Sequence, residues 1–244
     1  MTVPVISISL ADGPAGELDL GRVRASLARE GYAYVRDVPE DFDYVGQLSR
    51  LGAPAAQFDG AIVREVRPEP TVDNTVFSAS NTRELMPHTE WFEYPGHPPR
   101  YVALWCVRQT EGPGGETTLA DAYSFVRTLT ARDREHLLSS VYPWQPSAVL
   151  RKLGIDFHAD HPLLERHGGD VIVRFPCDDR CARFDDLMER FLTAGREYFA
   201  AHHVAVKIEE RAVLVWDNWR MMHARNAFTD EVRHLRRLLV SATV

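Results

Sequence analysis

Two unbroken apolar runs, Tyr101-Val102-Ala103-Leu104-Trp105-Cys106-Val107 and Ala212-Val213-Leu214-Val215-Trp216, do most to limit what this chain can fold into. Each is strand-sized and lacks polar alternation, so each is expected to be a strand buried on both faces. Such strands need cover on two sides, and the rest of the sequence supplies it. Leu20, Val23 and Leu27 fall at helical spacing with Gly31 as a stop, and residues 44–51 read as a second helix closed by Gly52. Phe184, Leu187, Met188, Phe191, Leu192, Tyr198 and Phe199 mark one face of a long helix that ends at His202 and His203. Further strands are expected at 32–38, 61–66, 171–175 and 233–240. After the turn signal Gly112-Pro113-Gly114-Gly115, an extended backbone puts Thr117, Leu119 and Asp121 on one face, and a helix begins near Asp121. Helices outside many short, non-repeating strands predict a mainly β fold with flanking α-helices, a jelly roll.

A length of 244 residues and 45% hydrophobic content suffice for one sizeable core, and a single domain spanning 1–244 is expected. The net charge is −7 and no Lys/Arg-rich block stands out, which argues against a nucleic-acid partner. The start, Met1-Thr2-Val3-Pro4-Val5, lacks a basic region followed by an apolar core, and no run approaches the roughly 18 apolar residues of a membrane span. The expectation is a cytoplasmic protein with no membrane partner. Three cysteines make no disulfide framework. Cys177 and Cys181 have a spacing found in zinc sites, but no second pair completes one, so they read as ordinary thiols. Residues 141–170, with His158, His161 and His167 among prolines and glycines, read as a polar loop that helps cover a site; Pro162 argues against a preformed metal site on His158 and His161.

The chemistry centres on Pro87-His88-Thr89-Glu90-Trp91. On an extended backbone His88 and Glu90 point the same way, as two metal-type ligands. An imidazole and a carboxylate alone hold a divalent cation poorly, and Asp217-Asn218-Trp219-Arg220-Met221-Met222-His223 offers the third ligand. His88, Glu90 and His223 would form a 2-His-1-carboxylate facial triad, the ligand set of non-haem Fe(II) with open positions on one side.

Around these residues the chain resembles the clavaminate synthase and taurine dioxygenase-like family of Fe(II)/2-oxoglutarate oxygenases. His88-Thr89-Glu90, Gly114-Gly115-Glu116-Thr117, Asn218-Trp219-Arg220-Met221-Met222-His223 and Arg233-His234-Leu235 occur in the family's order, within 77–129 and 211–240. The resemblance implies a double-stranded β-helix whose mouth holds iron, with 2-oxoglutarate and O2 as co-substrates. It places Arg233 on the far carboxylate of 2-oxoglutarate, with Arg236 as the fallback, and the Thr117 hydroxyl on the same co-substrate. A bidentate, permanently charged guanidinium suits that role. It further implies oxidative decarboxylation to succinate and CO2 coupled to attack on a substrate C–H bond. Retention of Glu90 disfavours halogenation, and glutamate at this position points to amino acids or natural-product intermediates as substrates. If Arg233 faces the iron cavity, period-2 alternation brings Arg237 to the same face and turns His234 and Arg236 away. Arg237 is therefore expected to meet a small, anionic substrate, unless Asp121 or another internal carboxylate neutralises it.

The expected reaction is C–H hydroxylation, with desaturation, cyclisation or isonitrile-type oxidation as alternatives. A jelly roll holding a structural metal could instead be a binding module, but such a module has no use for Arg233 and Thr117 at the co-substrate positions. A metal hydrolase would want a general base beside the metal-bound water, and no residue is marked for that task.

Overall fold

The computed structural model describes residues 7–10, 17–69, 80–177, 181 and 183–242; the N-terminal stretch 1–5 and Phe77 lie outside the described residues. In chain order the elements are β1 (Ser7–Ser9), α1 (Leu20–Glu30), β2 (Tyr32–Arg36), α2 (Tyr44–Ser49), β3 (Pro54–Ala55), β4 (Val63–Val66), β5 (Leu85–His88) and β6 (Tyr101–Arg108). They continue with β7 (Thr117–Asp121), α3 (Ala122–Thr128), α4 (Ala131–Ser139), β8 (Tyr142–Trp144), α5 (Ala148–Lys152), β9 (Ala159–His161), β10 (Leu164–His167) and β11 (Asp170–Val173). The last are α6 (Asp186–His202), β12 (Val204–Val206), β13 (Val213–Asp217), β14 (Met221–Arg225) and β15 (His234–Val240).

The two apolar runs become β6 and β13, neighbours at the centre of a sheet ordered β1-β2-β13-β6-β15-β3, with β4 also paired to β15. A second sheet runs β12-β7-β14-β5. Alternation along each strand divides its side chains between cores. Val102, Leu104 and Cys106 of β6, Trp216 of β13 and Leu235 of β15 meet Leu119 of β7 and Met221 of β14 in a core between the sheets. From the other face of the large sheet, Ala103, Val213, Val215 and Leu238 pack on Val23 and Leu27 of α1 and Leu48 of α2. The outer face of the small sheet sends Ala120, Met222 and Ala224 against Phe125, Met188, Phe191 and Phe199 of α3 and α6. The chain is thus mainly β with helices on both outer faces, as its pattern predicts.

Local chemistry sets the helix ends. The Asp19 carboxylate accepts from the Arg22 N–H to start α1, and Gly31 ends it with φ 82°, a left-handed conformation that glycine adopts without a Cβ clash. Asp121 caps α3 through the N–H groups of Tyr123 and Ser124, so the helix starts where expected. The long helix differs at its start. Phe184, placed on its apolar face by spacing, precedes the N-cap Asp185 and is exposed, because the Asp185 carboxylate captures the Met188 N–H and begins the helix at Asp186.

Residues 141–170 correct the expectation of a polar loop. They hold β8 paired with β9, the helix α5, and β10 paired with β11, with Tyr142, Trp144, Leu163 and Leu164 fully buried. Strands of three or four residues are too short to show a period, and the flanking prolines disguise them. His158 lies exposed beside Asp160, whereas His161 is buried and stacks on the Trp144 ring with centroids 5.1 Å apart. Burial, reinforced by the Arg174 charge, lowers the His161 pKa to about 3. The unfolded chain therefore takes up a proton near its ordinary pKa of about 6.5 that the folded chain refuses. His161 should contribute stability that is complete above that value and lost as pH falls toward about 3. In urea titrations between pH 7 and 4, His161→Phe should flatten this fall; an unchanged slope would exclude His161 as its source.

No described helix is long and apolar enough to cross a membrane.

Candidate active site

The metal-type residues converge where the two sheets join. The turn 218–220 carries the chain from β13 in the large sheet to β14 in the small one, and β14 places His223 directly opposite His88 of β5. Donor atoms of His88, Glu90 and His223 lie within 4.8 Å of one another, the only such group of three among the described residues. Facial donors about 2.1 Å from a common ion stand about 3.0 Å apart, so the three side chains would draw inward on binding one. His88 Nδ1 is 2.9 Å from the Met86 carbonyl; a carbonyl only accepts, so Nδ1 carries the hydrogen and the lone pair falls on Nε2.

Glu90 arrives by a different route from the one expected. The strand ends at His88, Glu90 sits in a turn, and Trp91 has φ 59°, a left-handed conformation costly for a bulky residue. What holds the turn is Asn218, fully buried. Its Oδ1 accepts from the Glu90 N–H at 2.6 Å, and its Nδ2 donates to the carbonyls of Glu90 and Pro99, each at 3.0 Å. Thr89 exchanges two further bonds with the Phe175 backbone, both 3.0 Å. Arg174, also fully buried, donates to the carbonyls of Phe92, Tyr94 and Gly96 and ties down the following residues.

The two oxygens of Glu90 face different groups. Oε1 accepts from Arg237 at 2.9 Å, whereas Oε2 is 3.7 Å from His223 Nε2. Burial opposes ionisation of this carboxyl, but Arg237 and the two histidines outweigh it and hold the group well below the usual carboxylate range. An ionised Glu90 with one oxygen turned to His223 fits a divalent cation. Arg237 is also fixed by Gln57, whose Oε1 accepts from Nε at 3.0 Å and from Nη2 at 2.8 Å. The internal carboxylate on Arg237 is thus Glu90; Asp121 is taken by Arg220 at 2.8 Å.

A cavity of about 210 Å³ opens beside these residues, lined also by Thr117, Arg225 and Arg233. Thr117 and Arg225 are cross-strand partners in β7 and β14. The guanidiniums of Arg225 and Arg233 lie 5.3 and 5.4 Å from the Phe228 ring centroid. Arg233 is 5% exposed, and among the described residues its guanidinium has no hydrogen-bond or ion-pair partner. Burial lowers its pKa to about 10, against distant charges that raise it. Arg225 donates to Asn81 Oδ1 and the Arg83 carbonyl, both neutral, and its pKa is lowered to about 10 by burial and by Arg233. Two uncompensated buried guanidiniums beside a threonine hydroxyl are suited to a carboxylate. Gly115, with φ 75°, makes room here, since a Cβ on it would stand 2.6 Å from the Thr110 methyl and 3.4 Å from Arg233 Cδ.

At the mouth, Phe58 and Trp91 line the cavity and pack with Tyr94, and Tyr94 in turn contacts Phe157. Ser147, Leu150 and Leu153, in and around α5, complete the rim. Part of 141–170 therefore does border the cavity.

The structure brings His88, Glu90, Thr117, His223, Arg233 and Arg237 around one cavity. Arg236 points to the outer face, where it pairs with Glu65 and lies over Trp105, so it cannot replace Arg233. Among the described residues, Cys177 and Cys181 form no disulfide and join no group of three metal-type side chains. Sequence alone does not single out Arg225, Arg64 or Gln57, and it shows Asn218 within a motif without giving it a role. Alternation would have found Arg225, two residues beyond His223 on the same strand. Nothing local marks Gln57, and nothing local assigns Asn218 to the Glu90 turn.

Solved structures share this fold. An asparagine oxygenase in complex with Fe(II), 2S,3S-3-hydroxyasparagine and succinate superposes with a TM-score of 0.76 at 20% identity, covering 92% of this chain and 79% of that one. The non-heme iron oxygenase OrfP in complex with Fe and alpha-ketoglutaric acid gives 0.72 at 22% identity, covering 95% and 82%. In sequence, gamma-butyrobetaine dioxygenase from Homo sapiens is 26% identical over 179 residues, 64% of this chain and 44% of that protein. The match thus spans less than half the length of that relative. The model of the taurine catabolism dioxygenase TauD, TfdA family matches residues 6–239, and the chain belongs to that family.

Proposed function

We propose that this chain is a non-haem dioxygenase using Fe(II), 2-oxoglutarate and O2 to hydroxylate a C–H bond of a small anionic substrate, an amino acid or natural-product intermediate. We read the two sheets as one double-stranded β-helix domain spanning 1–244. The observation that carries the proposal is the pairing, in one cavity, of the His88, Glu90 and His223 donor group with the buried guanidinium of Arg233, unpartnered among the described residues. A structural metal site alone has no need of the second feature.

When bound, iron and 2-oxoglutarate supply the oxidation, with succinate and CO2 as products and one oxygen atom delivered to the substrate. The protein's part is positioning. His88, His223 and Glu90 Oε2 would hold the metal, while Arg237 keeps Glu90 ionised and oriented through Oε1. Arg233, with Arg225 beside it, would take the far carboxylate of 2-oxoglutarate in a bidentate grip, and the Thr117 hydroxyl would donate to the same group. Arg237 keeps N–H groups beyond those given to Glu90 and Gln57, and these would meet the substrate's acidic group. Phe58, Trp91 and the residues around α5 exclude water at the mouth.

Anaerobic addition of Fe(II) and then 2-oxoglutarate should produce the weak visible charge-transfer band of the chelate. Tight iron binding without that band would favour a structural metal site, and the oxygenase reading would fall.

A further inference from the structure

The cavity holds more positive charge than its proposed cargo balances. Arg64, Arg225, Arg233 and Arg237 line it against the carboxylates of Glu90 and Glu93. Iron(II) and a 2-oxoglutarate dianion would cancel each other, leaving the arginine excess for the substrate.

The location of that excess follows from strand register. Arg64 of β4 and Arg237 of β15 are direct cross-strand partners, with Cβ atoms about 4.5–5.5 Å apart on the cavity face. Like charges so placed repel. One step along the same ladder, on the outer face, Glu65 stands opposite Arg236 and accepts from it at 3.2 Å, with His234 on the same carboxylate. The two strands therefore carry complementary charges toward solvent and like charges toward the cavity. Among the described residues, no side chain or carbonyl hydrogen-bonds the Arg64 guanidinium and no carboxylate ion-pairs with it. Its pKa is lowered by burial and then by Arg237, with Asp59, Glu90 and Glu69 opposing. A repelling pair of this kind is stabilised when anions reach it.

We propose that the substrate is a small dicarboxylic acid, one carboxylate held by Arg237 and the other by Arg64. This rests on the metal and co-substrate reading above, and makes Arg64 the residue that selects a second acidic group.

The test uses anaerobic protein loaded with Fe(II) and saturating 2-oxoglutarate, titrated calorimetrically with L-aspartate, L-glutamate and L-2-aminoadipate, each against its side-chain amide. At least one acid should bind about tenfold or more tightly than its amide, the difference expected for a hydrogen-bonded charge. Arg64→Gln should erase that preference and Arg64→Lys should keep part of it, both retaining the charge-transfer band. Equal binding of acid and amide in every pair, or a preference that survives Arg64→Gln, overturns the proposal. Absence of the band in the unaltered protein would instead overturn the reading on which it rests.

Discussion

Replacing His223 with alanine is expected to weaken Fe(II) binding by more than about 100-fold and to abolish the charge-transfer band, since losing even a supporting contact of a metal site typically costs about 10–100-fold. The fold should survive. His223 faces the cavity from β14, its Nδ1 is buried without a hydrogen-bond partner among the described residues, and its ring lies against His88 and Trp216. The strand is held from both sides, by β7 and by β5, through backbone bonds that the substitution leaves in place. Circular dichroism of the variant should therefore match the unaltered protein while equilibrium dialysis finds no tight iron. Full iron affinity in a folded His223→Ala protein would remove His223 from the site. A second effect separates this from a generic loss: Glu90, relieved of His223 Nε2 at 3.7 Å but still held by Arg237, should stay ionised in the variant, as carboxylate infrared bands would show.

The parts of this site that could be read in advance follow one rule, strand alternation. His223 and Arg225 on β14, and Arg233, Leu235 and Arg237 along the closing segment, all face inward two by two. The rule holds for β15 even though the β6–β15 ladder shifts register between His234 and Leu235. Glu90 obeys no such rule. It leaves the strand after His88 and reaches the cluster through a turn whose backbone is held by Asn218, 128 residues away. Extended geometry names a pair that the structure does bring together, but by a turn and not by strand alternation. The same limit applies to Gln57 on Arg237, 180 residues away, and to the short hairpins within 141–170. Contacts between a side chain and a distant backbone leave no period in the sequence, whereas faces of strands and helices do.

Arg233 offers the sharpest separation of binding from folding. A guanidinium that is 5% exposed and unpartnered costs desolvation free energy that nothing among the described residues fully returns. Its lowered pKa, about 10, records the same cost. An apolar side chain of similar length should relieve it, so Arg233→Met is expected to melt at or above the temperature of the unaltered protein. The same variant should lose 2-oxoglutarate affinity by roughly 10- to 150-fold, the equivalent of about 1.5–3 kcal/mol for a charged hydrogen-bonded contact. Arg233→Lys should sit between the two, because an ammonium supplies the charge without the planar fork. Iron binding in the absence of 2-oxoglutarate should be untouched in both variants, since Arg233 is not among the grouped donor residues. A protein that gains stability while losing its co-substrate is the signature of a residue kept for function. If Arg233→Met instead melts well below the unaltered protein, Arg233 is a structural arginine whose partner forms within the fold. Its assignment to 2-oxoglutarate would then pass to Arg225, which shares the Phe228 ring and stands opposite Thr117.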